Sequence, residues 1–317
     1  MERGIVDLAI IGSGPAGLSA AVYGTRAGLE TLVVTDGSVG GQIATTDVVD
    51  NYPGIENVGG LELGQRMWDH AEHLGARFVF DRIGAISRDD FDGVFTLSGD
   101  DGAYEARTVI YAAGATPRRA GFAGEDEYRG RGVSYCATCD GMFYRGKDVY
   151  VIGGGNTACE EALYLSKLAA SVTLIVRKDH LRAMKSLRDS VADSPNIIVR
   201  YLSRILSVSG DGLLSSLELE SVDDEGNPTL ERIEKEPGSF GIFVSVGQEP
   251  QTELVQEFVD LDDHGYIQTD CSMATRTPGL YCAGDVRVTP LRQVITAAAD
   301  GAVAATSAAC FLGALGE

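Results

Sequence analysis

Two cysteines in a C-x-x-C spacing, Cys136-Ala-Thr-Cys139, are followed at once by an acid, Asp140. A pair of this kind can be half of a zinc site, a structural disulfide or a redox-active dithiol. Zinc needs two further Cys or His ligands. The other cysteines (Cys159, Cys271, Cys282, Cys310) form no second C-x-x-C, and all four His lie far away in sequence. In the redox reading the short loop makes an exchangeable disulfide, and Asp140 is the acid that protonates a departing thiolate. The competing use of Asp140 is as a turn or helix-start carboxylate.

The elements that must position these sulfurs carry a second signal. An apolar run from Val6 to Ile11 leads into Gly12-Ser-Gly14-Pro15-Ala16-Gly17, a stretch of helical composition from Leu18 to Ala27, and a β-rich run from Thr31 to Val34. The same grammar returns at Asp148 to Ile152, Gly153-Gly-Gly155-Asn156-Thr157-Ala158, Cys159 to Leu168, and Val172 to Val176. A lone G-x-G-x-x-G is weak evidence, because glycine turns also serve packing. Each copy here has its strand, its helix and its second strand, which predicts two dinucleotide sites. In each, the first glycine makes the tight turn and the second admits the pyrophosphate. The third position, Gly17 or Ala158, lets helix and strand pack closely.

The end of the second strand predicts which nucleotide each copy holds. It falls on Asp36 in the first copy and, at the same offset, on Arg177 in the second. A carboxylate accepts hydrogen bonds from an unphosphorylated ribose, so the first copy is expected to hold FAD. Arg177, with Lys178 beside it and Arg182 close by, suits a 2′-phosphate, so the second is expected to hold NADPH. The alternative for these three cations is a solvated basic face. With two dinucleotide sites in the chain, redox exchange becomes the favoured chemistry for Cys136 and Cys139.

The second unit lies inside the first. Strand signals at Thr108 to Tyr111 precede a turn-rich crossing, Ala113-Gly114-Ala115-Thr116-Pro117, and Phe240 to Val246 precede a return crossing at Gly247-Gln248-Glu249-Pro250. The run Gly279-Leu-Tyr-Cys-Ala-Gly284-Asp285, with the Ala-rich segment after it, completes the first unit. The expected fold class is α/β with two Rossmann-like dinucleotide-binding domains. A discontinuous FAD domain (1–117 and 248–317) would enclose an NADPH domain (118–247) that carries the C-x-x-C, and the two connections would make a hinge.

Composition narrows the remaining classes. The 317 residues leave room for roughly two domains, 44% are apolar, and the mean hydropathy is near zero, as in a folded soluble protein. Gly, at 40 residues, is far above the usual share of ~7% and follows no collagen period. With 46 acidic and 26 basic residues the net charge is −20. That field repels nucleic acid and anionic membrane, so neither is an expected partner. Asp exceeds Glu and only 5 residues are Lys, a balance that fits a high-salt organism as well as it fits an ordinary acidic cytosolic enzyme. No stretch approaches ~20 uninterrupted apolar residues, residues 1–7 lack a targeting pattern, and the tail from Val294 to Ala314 is interrupted by Asp300. A cytoplasmic location is expected, and six cysteines are too sparse for a secreted disulfide framework.

The run from Gly130 through Cys136-Ala-Thr-Cys139-Asp140 to Gly146, followed by Gly153-Gly-Gly-Asn-Thr-Ala-Cys-Glu-Glu-Ala, resembles the low-molecular-weight thioredoxin reductases. So do Gly40-Gly41-Gln42, Asn51-Tyr-Pro-Gly54, and Ala283-Gly284-Asp285 with Arg292-Gln293, and the resemblance spans essentially the whole chain. It implies a homodimer with tightly but noncovalently bound FAD. Hydride would pass from NADPH to the flavin, and electrons then to the Cys136–Cys139 disulfide and on to thioredoxin or a thioredoxin-like protein, with rotation of the inserted domain between half-reactions. By the same resemblance Cys139 would face the flavin, Cys136 would attack the partner, and Asp140 would act as acid and base. Gly12, Gly14, Ala16, Gln42, Asn51, Asp285, Arg292 and Gln293 would contact FAD, joined by Pro15, Gly17, Asp36, Gly41, Ala113, Gly114 and Gly284. Gly153, Gly155, Asn156, Thr157, Arg177, Lys178 and Arg182 would contact NADPH, and Arg131, Met142 and Phe143 would meet thioredoxin. The family's usual His-Arg-Arg after the second strand is Val176-Arg177-Lys178 here, which removes one phosphate contact and turns another from a fork into a point charge. Cys159 stands where an aliphatic residue is usual and is read as a small core side chain. The alternative function is the same scaffold serving a different thioredoxin-like protein, NADH or another electron donor.

Overall fold

The computed structural model describes residues 4–37, 39–46, 48–223 and 225–315. The chain divides into two compact units, residues 1–116 with 249–317 and residues 117–248.

The first unit opens with β1 (Val6–Ile11), α1 (Pro15–Arg26), β2 (Thr31–Thr35), α2 (Gly60–His73) and β3 (Arg77–Phe80). An antiparallel run follows, β4 (Ile83–Arg88), β5 (Phe95–Gly99) and β6 (Ala103–Tyr111), and then β7 (Ala115–Pro117) at the first crossing. The second unit contains β8 (Val133–Ser134), α3 (Ala137–Asp140), β9 (Asp148–Ile152), α4 (Asn156–Ser166), β10 (Ser171–Ile175), α5 (Lys185–Asp193) and β11 (Ile197–Arg200). It continues with β12 (Ser203–Asp211), β13 (Leu213–Val222), β14 (Pro228–Glu234) and β15 (Phe240–Val244). After β16 (Gln248–Pro250) at the return crossing, β17 (Leu280–Cys282) and α6 (Val294–Leu315) complete the first unit.

In the first unit the sheet runs β3-β2-β1-β6-β5-β4, with β17 also pairing to β6. Pairs among β3, β2, β1, β6 and β17 are parallel, while β4, β5 and β6 are antiparallel. A strand buried on both faces must be apolar almost throughout, which is what β1 shows. Leu8 and Ile10 point into a core shared with Ala16, Ala20, Ala304, Ala305 and Ala308 of α1 and α6. On the opposite face Ala9 and Ile11 meet Phe95, Leu97 and Val255. Helix α6 is long and apolar enough to cross a membrane by length and composition, with mean hydropathy 1.5 over Val294–Gly313. Its packing instead is intimate with α1: a Cβ on Gly301 would stand 2.0 Å from the Ala16 carbonyl oxygen. The one acid on this helix, Asp300, is buried in an ion pair with Arg287 at 2.8 Å.

The second unit repeats the plan with a five-stranded parallel sheet, β11-β10-β9-β15-β8. Val149 and Val151 of β9 face α4, while Tyr150 and Ile152 face Leu214, Leu217 and Leu219 of an antiparallel β12-β13-β14 meander. Among the described residues the corresponding face of the first unit is likewise free of α-helix and is covered by Phe95 and Leu97 of β5 together with Val255 and Val259. Ala158, Cys159 and Ala162 of α4 lie in the first of these cores with Ala137 from the redox turn, so Cys159 is a core side chain, its thiol pushed up by burial. β7 and β16 pair as a two-stranded ribbon.

Candidate functional site

Three groups of residues stand out, one in the first unit and two in the second. In the first, Gly12 has φ +107°, and a Cβ there would lie 2.5 Å from the Ala112 carbonyl oxygen. A Cβ on Gly17 would lie 1.9 Å from the Gly12 carbonyl oxygen, so α1 sits directly on the turn. Gly14, the N-cap of α1, faces open space with no heavy atom within 4 Å of its Cβ position, and Pro15 begins the helix. The turn thus presents free helix-terminal N–H groups beside an opening that only a glycine leaves clear, which suits a pyrophosphate.

Other elements close on the same turn. Gly40 N–H donates to the Ser13 carbonyl at 3.0 Å, and a Cβ on Gly41 would stand 3.0 Å from Gly14 Cα, so the segment holding Gly41 and Gln42 lies against it. Gly284, arriving from β17, packs on Ala16, with its Cβ position 2.9 Å from Ala16 Cβ. Its N–H donates to Asp300 Oδ2 at 3.1 Å. Asn51 donates to Gln293 at 3.0 Å, Asp36 is exposed just past β2, and the Gly114 carbonyl accepts Gln251 N–H at 3.0 Å with the Ala113 backbone adjoining.

Asp285 and Arg292 carry the electrostatics of this unit. Burial raises the Asp285 carboxyl to about 6, with Arg292 drawing it down and Asp300 pushing it up. Arg292 stacks over the Tyr266 ring at 4.2 Å, and its Nε is buried with no hydrogen-bond partner among the described residues. A buried donor of this kind calls for an acceptor, and the polar isoalloxazine and ribityl groups of a flavin are rich in them. The residues present therefore fit FAD.

The second glycine turn repeats the pattern with one substitution. Gly153 has φ +149°, and a Cβ there would meet the Ser245 carbonyl oxygen at 2.4 Å, while Gly155 faces open space as the N-cap of α4. Asn156 Oδ1 accepts Met184 N–H at 2.9 Å, and Arg182 N–H donates to the Gly154 carbonyl at 2.7 Å. These bonds fold the 176–184 segment back onto the turn. Arg177, Lys178 and Arg182 are exposed beside it, as is Thr157. Three exposed cations at a glycine turn fit a phosphorylated dinucleotide. His180 holds the neighbouring Asp179 carboxyl below its usual range, and Lys178 adds a smaller pull in the same direction.

The third group is the redox turn. Cys136 and Cys139 form a disulfide with Cα atoms 5.3 Å apart, on a helical turn that packs against α4 through Ala137 and Gly141. Asp140 accepts a hydrogen bond from Ser134 Oγ at 2.6 Å, and the same hydroxyl accepts Cys136 N–H at 3.1 Å. The Asp140 charge reaches Tyr144, whose phenol is pushed up to about 12 chiefly by burial. No group of three or more His, Cys, Asp or Glu among the described residues could hold a metal ion. Met142 and Phe143 follow the turn as exposed apolar side chains, and Arg131 is exposed on the same unit.

Several supporting residues are given no role by the sequence motifs. Ser134 grips both Cys136 and Asp140. Glu125, buried, accepts Tyr135 Oη at 2.7 Å and the backbone N–H groups of Ala120 and Gly121 at 2.9 and 2.7 Å, which fixes the strand entering the turn. Glu161 of α4 accepts Ala137 N–H at 3.3 Å. The Ser134 of Val-Ser-Tyr-Cys136, just ahead of the pair, is the one with a local signal. The others find partners only through the fold.

Comparison with known proteins shows the family and fold to which the chain is similar. Residues 6–301 match the family profile described as pyridine nucleotide-disulphide oxidoreductase. A thioredoxin reductase of Peptoclostridium acidaminophilum is 46% identical over 306 residues, covering 96% of each chain. One from Bacillus subtilis is 38% identical over 310 residues, covering 96% of this chain and 94% of that one. The crystal structure of thioredoxin reductase from Streptococcus pyogenes superposes with a TM-score of 0.90 at 37% identity, over 99% of this chain and all of the other.

Proposed function

The chain belongs to the pyridine nucleotide-disulphide oxidoreductase family, and from that premise we propose that it is an FAD-dependent thioredoxin-disulfide reductase using NADPH. The observation that carries the reading is the Cys136–Cys139 disulfide lying in the same unit as the second glycine turn. Bound FAD supplies the two-electron relay between nicotinamide and disulfide that side chains lack.

The first unit is the FAD domain. Gly12, Gly14 and Gly17 admit and cradle its pyrophosphate, Pro15 and Ala16 open the helix beneath it, and Asp36 accepts the ribose hydroxyls. Gly41, Gln42, Asn51, Ala113, Gly114, Gly284, Asp285, Arg292 and Gln293 complete the pocket. The second unit is the NADPH domain, where Gly153, Gly155, Asn156 and Thr157 take the pyrophosphate and Arg177, Lys178 and Arg182 the 2′-phosphate.

In the reduced chain Cys136 attacks one sulfur of the partner's disulfide and forms a mixed disulfide. Asp140, oriented by Ser134, donates a proton to the sulfur that leaves. Cys139 then attacks Cys136 Sγ, which releases the partner as a dithiol and restores the Cys136–Cys139 bond, so two electrons leave the chain. The partner is thioredoxin or a thioredoxin-like protein, and exposed Met142 and Phe143 beside the turn offer it apolar contact. The working form is a homodimer, in which the exposed Tyr23 and Val303 of α1 and α6 would be covered. A cytoplasmic location accords with the free exposed thiols of Cys271 and Cys310.

Anaerobic NADPH should bleach the flavin of both the parent and Cys139→Ser, while only the parent should go on to reduce thioredoxin. Thioredoxin reduction by Cys139→Ser at the parent's rate would refute the route.

A further inference from the structure

The redox turn rests on a carboxyl group to which the mechanism above gives no task. Glu161 projects from α4, where its Oε1 accepts Ala137 N–H at 3.3 Å and its Oε2 accepts the Ser245 hydroxyl. Ala137 directly follows Cys136 and is fully buried. Ser245 follows β15, and its own carbonyl abuts Gly153, at 2.4 Å from the Cβ position there. One side chain therefore ties the turn that carries the sulfurs to the strand end that closes the second glycine turn. Both contacts aim a donor at the carboxyl, the arrangement an ionised carboxylate requires. Burial pushes this carboxyl up, the bonds from Ser245 and Ala137 draw it down, and the neighbouring Glu160 adds to the rise.

Resting on the reductase reading, we propose that Glu161 is a positioning residue that sets the redox equilibrium of the Cys136–Cys139 pair, by engaging the Ala137 N–H and so placing a negative charge at the residue that follows the attacking Cys136. The oxidised pair carries no charge, whereas the reduced pair carries thiolate character at Cys136. A carboxylate bound to the peptide N–H that follows Cys136 disfavours a thiolate there and so favours the disulfide. The reduced pair is then the stronger reductant, as a donor of electrons to a partner must be. Proton transfer belongs to Asp140, which Ser134 holds separately, so the two acids act on different terms of the same exchange.

Glu161→Gln keeps an acceptor for Ala137 and removes the charge. Flavin-loaded parent, Glu161→Gln and Ser245→Ala are equilibrated with mixtures of glutathione and glutathione disulfide, or with dithiothreitol where a more reducing poise is needed. The sulfurs are then trapped by alkylation and the two states counted by mass. One disulfide and two thiols exchange for two thiols and one disulfide, so the balance closes within the buffer. A parent pair that never interconverts would fail the reductase reading itself. With an interconverting parent, Glu161→Gln should favour the dithiol by about tenfold, a shift of about 30 mV for this two-electron couple. Ser245→Ala should move the equilibrium the same way, because the carboxyl that loses a donor is more readily protonated. A folded Glu161→Gln within twofold of the parent overturns the proposal. Should that variant fail to fold, Ser245→Ala at the parent's equilibrium overturns it equally.

Discussion

Asp285 is held with its carboxyl raised to about 6 by burial, whereas an unfolded aspartate titrates near ~4. Between those values the folded chain binds the extra proton, so this group's contribution to stability falls as pH rises through the window. Asp285→Asn removes the fall. In flavin-free protein the variant should melt about 2–6 °C above the parent at neutral pH, with the gap about halved near pH ~5 and closing toward pH ~4. A gap independent of pH would trace the effect to something other than this carboxyl. The same change should weaken FAD binding about tenfold, read by flavin fluorescence. Arg177 belongs to the other nucleotide. Arg177→Ser should raise KM for NADPH about tenfold while leaving KM for NADH nearly unchanged. Equal rises for both would assign Arg177 to the shared part of the dinucleotide. The contrast between Asp36 and Arg177 was legible without tertiary information, because it is opposite charge at one offset in two copies of a motif. The supports of the redox turn other than Ser134 were not. Glu161 is 24 residues from Ala137 and 84 from Ser245, and a carboxylate in a helix looks solvated until the fold buries it.

At the scale of elements, the two glycines that look alike in Gly14-Pro-Ala-Gly17 do different things. A Cβ on Gly17 would sit 1.9 Å from the Gly12 carbonyl oxygen and 3.3 Å from the Ile10 side chain, so Gly17→Ala must push α1 off β1. A clash of that order costs about 1–3 kcal/mol or more, and the variant should melt several degrees lower even without flavin. Gly14→Ala meets no atom within 4 Å. It should melt like the parent and yet bind FAD poorly, because its methyl group enters the space the pyrophosphate needs. Comparable melting of the two flavin-free variants would undo the distinction. The strands that frame these turns were readable because β1 and β9 are buried on both faces and hence apolar apart from Asp7 and Asp148 at their starts. The meander β12-β13-β14 was not: β14 is exposed along nearly its whole length, and β13 buries only one face, so neither presents the apolar run that marks a strand of a parallel sheet. Helix α1 starts at Pro15 rather than at Leu18, because Pro and small residues at a helix start carry little helical signal of their own.

Over the whole molecule, a charge of −20 sets two effects of salt against each other. Ion pairs such as Arg66–Glu62, Arg119–Asp126 and Lys185–Asp189 leave more than half of each side chain exposed. Pairs like these contribute about 0–1 kcal/mol each, and salt weakens them. The Arg287–Asp300 pair is largely buried and is screened much less. Against those small losses stands the mutual repulsion of the unpaired acids, which extends about 10 Å at 0.1 M salt and only about 3 Å at 1 M. Because 46 acids face 26 bases, most of the long-range terms are repulsive, and screening them favours the compact state. The melting temperature should therefore rise by about 5 °C or more between low salt and ~1 M KCl. The rise should be the same with sodium as with potassium, since screening depends on ionic strength rather than on a site for one cation. A curve that stays flat or falls would mean that the surface acids are too dispersed to repel one another, and it would remove the reading of this composition as an adaptation to high salt.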